Sequence, residues 1–397
     1  FGRIWQAWRT KGWLKPFRNA APLLLGRGAQ GILSLAAMAL ATRTLGPEIF
    51  GIMVLVLTFR QMATGLTKLR ARDTLMRFGA IALQANDLPR FRRLLRFGFA
   101  IDLLSATVAI IAILLFADFF TRALDLPTPY RDIARLFGIL AGFVLLSNTS
   151  DGVLRLYDRF DIIAVQSALT PAIQATGALV LYLNGGGLVA FLGAWFIGVA
   201  VSRVWMIAMA LRELHRQGIG RVGAPRWADL RYPEKGVWHF TVGCYLNDAT
   251  GEGKRHGMVL LIGAMLDPTA AALLRIAQQI GNMPSKPITK VLLPAIFPEM
   301  ARLTAKDAQK KRSKMAVRSG LLAGVFSLLP VLGLIFFGKT ALALVFGPGF
   351  ADAYIPMLIF AGSGILQMLL FPVRPLLTAQ GRIYLMLLSR VLTIAVW

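Results

Sequence analysis

Apolar runs of bilayer-spanning length follow one another along almost the whole chain, and this leaves very few folds open to it. They lie near 20–43, 48–67, 97–117, 133–150, 162–183, 188–211, 238–264, 267–294, 319–337, 353–377 and from 383 onward, about eleven in all. A helix needs roughly 20 apolar residues to cross a hydrocarbon core of about 30 Å. Lipid offers no hydrogen-bond partners, so each run must satisfy its own backbone, which makes it a helix. The expected fold class is an all-α polytopic membrane protein. With 56% of its residues apolar and only 16% charged, the chain does not have the composition of an ordinary soluble domain.

The order of these runs repeats. Leu45-Gly46-Pro47-Glu48 is answered by Leu266-Asp267-Pro268-Thr269, Arg92 to Gly98 by Lys314 to Gly320, and Leu154 to Phe160 by Leu377 to Ile383, at offsets of 221, 222 and 223 residues. Each landmark has the same part in both copies: a turn between two runs, a basic loop entering a run, and the close of one run before the next. A duplicated membrane protein builds two pseudo-symmetric lobes. We expect two six-helix lobes around a central cavity. An interfacial segment would occupy 1–19, the N-lobe 20–212 (spans 1–6), a basic linker 213–236, and the C-lobe 237–397 (spans 7–11). The last run stops at Trp397 and the chain opens on Phe1 without a methionine, so a twelfth span in a longer parent chain is expected.

A formal net charge of +25 suggests nucleic acid until the basic residues are located. With the N-terminus inside, the segments 1–19, 68–96, 151–161, 212–235 and 299–318 hold 28 of the 44 Lys and Arg residues. The opposite loops hold four: Arg43, Arg122, Arg131 and Lys339. That asymmetry is the positive-inside rule, and it predicts a cytoplasmic N-terminus. A basic face against the anionic lipids of the inner leaflet accounts for the charge, and no nucleic-acid partner is expected. Trp5, Trp8, Trp13 and Phe17 alternate with Arg3, Arg9, Lys11, Lys15 and Arg18, as in a helix lying on that leaflet.

Several chemistries are set aside. Cys244 is alone, and His215, His239 and His256 are scattered, so no disulfide, metal or cofactor is expected. Gly333 to Thr340 reads GLIFFGKT and has the letters of a phosphate-binding loop. It lies in an apolar run, where no loop can expose its N–H groups to a phosphate. Asn148-Thr149-Ser150 is a glycosylation sequon in letters only, at the end of a span.

The chemistry lies in polar residues that lipid should exclude. Twelve basic residues remain in or beside the spans, Arg203 among them, and several can snorkel from span ends. Arg27, Arg60, Lys254, Arg255 and Arg275 sit deeper, where facing lipid costs about 2.5–3.5 kcal/mol each. Helical spacing gathers them into faces: Arg27 with Gln30 and Ser34, Arg60 with Thr64 and Thr67, Asp248 with Glu252 and Arg255, and Arg275 with Gln279, Asn282 and Lys286. These faces belong to spans 1, 2, 7 and 8, two pairs of repeat equivalents, and a shared lumen is the economical reading. Cations outnumber anions there, which favours an anionic ligand, and phosphate or pyrophosphate suits the guanidinium fork. Asp248, Glu252 and His256 are candidates for ion coupling or for an internal salt-bridge network, and Asp102 in span 3 is the main spare carboxylate. Pro284, Pro287 and Pro294 in span 8 allow a kink or a hinge.

The runs RTLGPEIFG (Arg43 to Gly51), LVFGPGFADA (Leu344 to Ala353) and LLTAQGR (Leu376 to Arg382) resemble the polysaccharide-biosynthesis flippases, including O-antigen flippases, of the multidrug/oligosaccharidyl-lipid/polysaccharide exporter superfamily. The resemblance covers nearly the whole chain. It implies two six-helix lobes, a cavity open alternately to either side, and transfer of an undecaprenyl-pyrophosphate-linked glycan across the bacterial inner membrane. We expect a non-hydrolytic cycle driven by an ion gradient or by substrate flux, with other polysaccharide-assembly proteins among the partners. Related lipid-linked precursor flippases place essential arginines in helices 1, 2 and 8, and Arg27, Arg60 and Arg275 occupy comparable stretches. The chain departs from the pattern in the polar run Asn247 to His256 of span 7 and in the missing helix 12. A multidrug antiporter of the same superfamily is the alternative, although it should carry an acid where span 1 has Arg27. A glycan polymerase or ligase would need larger outer loops.

Overall fold

The computed structural model describes residues 15–123, 129–220, 222–231, 236–284 and 308–370. Most of the interfacial segment 1–19, Lys286, Pro287, Pro294 and everything after 370 lie outside the described residues. Within them every regular element is helical, as expected.

Spans 1 and 2 form one long helix, α1 (Lys15–Thr67), broken at Gly46, whose φ of 72° and ψ of 174° interrupt the helical backbone. Glycine reaches positive φ without a Cβ penalty, and Pro47 restarts the helix with its φ already set. Three short helical pieces follow: α2 (Ala71–Thr74), a π turn (Leu75–Gly79) and α3 (Ala80–Gln84). Then come α4 (Leu88–Ala123), α5 (Pro129–Leu145), α6 (Asn148–Leu156), α7 (Phe160–Asn184) and α8 (Leu188–Arg216). A short 3-10 turn (Trp227–Leu230) precedes α9 (Val237–Met265) and α10 (Pro268–Gly281). The last described helices are α11 (Ala308–Phe346) and α12 (Tyr354–Leu370).

The sequence repeat reappears in the element boundaries. Val237 of α9 stands 222 residues after Lys15 of α1, and Pro268 of α10 stands 222 after the kink at Gly46. The 36-residue α4 has its counterpart in the 39-residue α11, and α5 and α12 each have 17 residues.

Among the described residues, seven helical stretches are long and apolar enough to cross a membrane. The first, 26–84, contains spans 1 and 2 together. Helix α9 is not one of the seven, because the run Asn247 to His256 interrupts its apolar surface. Side chains such as Leu183, Leu329 and Phe336 are more than 70% exposed, which only a lipid surround makes tolerable.

Two segments differ from expectation. The stretch 68–96 is not simply a basic loop: Leu75 and Ala82 are buried with Phe91, Leu94, Leu95, Val153, Ile163, Met206 and Leu214 in an apolar core. Its charges decorate a folded cap. Span 4 is not continuous either. It breaks at Leu146 and Ser147, and α6 starts afresh with its N-terminus held by a side chain from α4, described below.

By internal contacts the chain divides into Phe1–Pro268 and Thr269–Trp397. This differs from the division by repeat, which starts the C-lobe at 237. Helix α9 belongs to the first unit because it packs along the second half of α1. The Tyr245 hydroxyl donates to the Leu66 carbonyl (2.7 Å), the Thr74 and Thr241 hydroxyls pair at 2.7 Å, and Glu252 lies against Gly65. Just past the kink, the Pro268 backbone fills the space that a Cβ on Gly51 would need. At the other end of α1, Gly26 lies close enough to α7 that a Cβ would meet the Ala164 carbonyl at 2.6 Å. In the second unit α11 and α12 pack together, with Gly338 set against Tyr354 and Met357.

Candidate functional site

The anticipated site residues fall into three environments. Arg27 is exposed on α1 with Gln30 beside it on the same face. Arg60, further along α1, is enclosed by protein, and its Nε is buried without a hydrogen bond. Arg275 on α10 is likewise largely withdrawn from solvent. Among the described residues no carboxylate stands within salt-bridge range of Arg60 or Arg275. Enclosed guanidiniums without counter-ions are costly, and they mark places where a ligand supplies the missing charge or a wet cavity solvates them.

Helix α9 supplies the second environment. Asp248 pairs with Arg70, just past the end of α1. Glu252 lies 3.2 Å from His256 one turn on, and the His256 side chain is buried. The acids of this face are thus engaged inside the first unit. The side chains of Lys254 and Arg255 lie outside the described residues.

Asp102 anchors the third. It is only 1% exposed, and its Oδ2 accepts the Thr149 backbone N–H at 2.8 Å, where a carboxylate opposes the positive end of the α6 dipole. Its Oδ1 has no hydrogen-bond partner. Ser105, one turn along α4, accepts the Leu69 N–H at 3.1 Å, which brings Lys68 to the same level. From the other side Arg203 of α8 reaches Ser147, Nη1 to Oγ 3.4 Å, while its Nε is buried and unbonded. Arg203 stands close enough to both Arg60 and Lys68 for the charges to repel.

Lys68, Arg70, Ser147 and Arg203 were not singled out from the sequence. Lys68 and Arg70 were counted as loop cations, and Arg203 as one that could snorkel. Its position near the middle of α8, a 29-residue helix, was the available signal, because a mid-helix arginine cannot reach either interface.

Several other basic residues of the first unit are tied down structurally. Arg159 donates to Glu213 at 2.5 Å and to Asp161 at 3.0 Å, and chiefly the hydrogen bonds to Asp161 hold its guanidinium above its ordinary value. Arg155 and Arg72 both reach Asp151. Arg135 is held by both oxygens of Asp118, at 2.6 and 2.7 Å. The segment GLIFFGKT runs inside α11 as continuous helix, which rules out a phosphate loop there. Asn148 is buried at the start of α6, a position no glycan could occupy.

The repeated order of membrane-length helices is the one implied by the resemblance to the multidrug/oligosaccharidyl-lipid/polysaccharide superfamily. Solved structures agree on the fold. A multidrug resistance MATE transporter of that superfamily in an inward-facing conformation superposes with a TM-score of 0.63 at 12% identity, covering 88% of each chain. A MATE in a bent conformation gives 0.55 at 14% identity, covering 94% of this chain and 83% of the other. The model of the polysaccharide biosynthesis protein family matches residues 40–355, and the chain belongs to that family. It is 29% identical over 337 residues to the inner membrane protein YghQ of Escherichia coli K12, covering 85% of this chain and 94% of that protein.

Proposed function

We propose that this protein is a flippase that carries an undecaprenyl-pyrophosphate-linked oligosaccharide across the bacterial inner membrane. The observation that carries the reading is the enclosed, counter-ion-poor cations Arg60 and Arg275, in a chain of the polysaccharide biosynthesis family. A pyrophosphate supplies the charge they lack and a fork for each guanidinium to grip. The isoprenoid tail stays in lipid while the sugars cross a wet lumen by alternating access, and Arg27, Lys254 and Arg255 extend its cationic lining. Charge asymmetry supports a cytoplasmic N-terminus and a basic face against anionic inner-leaflet lipids. The cycle is transport and needs no bond chemistry. Asp248, Glu252, His256 and Asp102 are the residues available for ion coupling, and other polysaccharide-assembly proteins would deliver and receive the glycan.

The multidrug reading is disfavoured because Arg27 stands in the first span where an antiporter of cations wants an acid. Depletion of the protein in a cell that makes the glycan tests the proposal. Lipid-linked oligosaccharide should accumulate on the cytoplasmic face, protected from an external glycosidase. Normal exposure of the glycan outside the membrane after depletion would overturn the reading.

A further inference from the structure

We propose that Arg60, Lys68 and Arg203 form a phosphate cradle wholly within the first unit, with the Ser147 hydroxyl as its neutral member and Asp102 as a built-in counter-charge. It deepens the flippase reading by naming which residues would grip the charged head, and it rests on that reading only for the identity of the cargo.

The geometry closes on itself. The Leu69–Ser105 bond fixes Lys68 beside α4, the Asp102–Thr149 bond fixes α4 beside the break between α5 and α6, and the Arg203–Ser147 contact fixes α8 beside the same break. Four unconsecutive stretches of chain thereby converge on one spot. The three cations share it with Asp102, which already accepts a helix N–H through one oxygen, while Asp151, within electrostatic reach of Arg203, is held by Arg155 and Arg72. The polar atoms left over are of the kind an oxyanion would use: Nε of Arg60 and Nε of Arg203, each buried without a hydrogen bond. A merely structural cluster would have paired them, as Arg159, Arg155 and Arg135 are paired elsewhere in the unit. The chemistry that fits is a phosphate or diphosphate group, either on a polyprenyl lipid or as the free anion.

Asp102 makes the idea testable in a direction that misfolding cannot imitate. The full chain in nanodiscs of zwitterionic phosphatidylcholine is titrated with inorganic pyrophosphate and, separately, with farnesyl pyrophosphate. Saturable binding is expected, weakened at least about tenfold in Arg203→Gln and less in Arg203→Lys. Asp102→Asn keeps an acceptor for the Thr149 N–H while removing the competing charge, and should bind about threefold to tenfold more tightly. Arg212→Gln, exposed on the same helix, should bind like wild type. Binding of the farnesyl compound alone identifies a lipid headgroup as the source, and binding of both admits the free anion. No binding of either by wild type, or affinities unmoved by both Arg203→Gln and Asp102→Asn, would overturn the cradle. Loss of glycan flipping with these binding shifts intact would instead overturn the flippase reading and leave the cradle standing.

Discussion

Some arginines of this chain have a partner that holds the fold, and others are enclosed without a counter-ion, the kind proposed to grip a ligand. Arg159 is the first kind. Glu213, only 5% exposed, accepts from it and from the Gln217 amide at 2.8 Å. Replacing Glu213 with Ala strands both donors and should lower stability by about 1–3 kcal/mol. Thermal unfolding in detergent should register that loss while pyrophosphate affinity stays unchanged. Arg60 is the second kind. Arg60→Lys keeps the charge but not the fork, so a flux assay should find it slowed yet active, with Arg60→Ala slower still and both melting close to wild type. The sequence made Arg60 and Arg275 visible because deep arginines are rare in spans. It hid Arg203 and Lys68, whose proximity depends on how α8 and the end of α1 pack against the break at Ser147, and no periodicity within one helix records that.

Helices here are interrupted where backbone chemistry permits. Gly46 carries positive φ at the turn between the two halves of α1, and Gly46→Ala should cost about 1 kcal/mol through its Cβ alone. Gly51 is different, because backbone rather than side chain occupies its Cβ space. Gly51→Val should therefore sharply reduce the yield of monodisperse protein, whereas Gly46→Ala should leave most of it; size-exclusion chromatography of matched expressions compares the two. The turn at Gly46-Pro47 was legible because its residues are the ones such a turn demands. The break at Ser147 was not, because Leu146, Ser147 and Asn148 are tolerated inside a helix and only the Asp102 bond to Thr149 reveals where α6 begins. The helical pieces at 71–84 were obscured by Arg70, Arg72 and Arg77, which read as a loop until Leu75 and Ala82 are seen buried beneath them. Polar α9 reads poorly as a span for the opposite reason: its acids Asp248 and Glu252 are engaged by Arg70 and His256.

Across the whole chain, the duplication links sequence to architecture most directly, since the starts of α9 and α10 recur at the offset the landmarks give. The orientation expected from charge can be read out with single cysteines in a Cys244→Ser background. Asp87→Cys, in the turn before α4, should resist a membrane-impermeant maleimide added to intact cells. Gly187→Cys, in the turn before α8, should react with it. The reverse pattern would invert the topology.

The central claim is that a cation-lined path moves an anionic lipid-linked glycan. Its most direct test is the flipping of labelled undecaprenyl-pyrophosphate oligosaccharide in proteoliposomes, at equal and verified insertion of wild type, Arg60→Ala and Arg275→Ala. The account predicts transport by wild type and at least about tenfold slower transport by each variant. Transport at the wild-type rate by both variants, or an inactive wild type that exports cationic dyes, would contradict it.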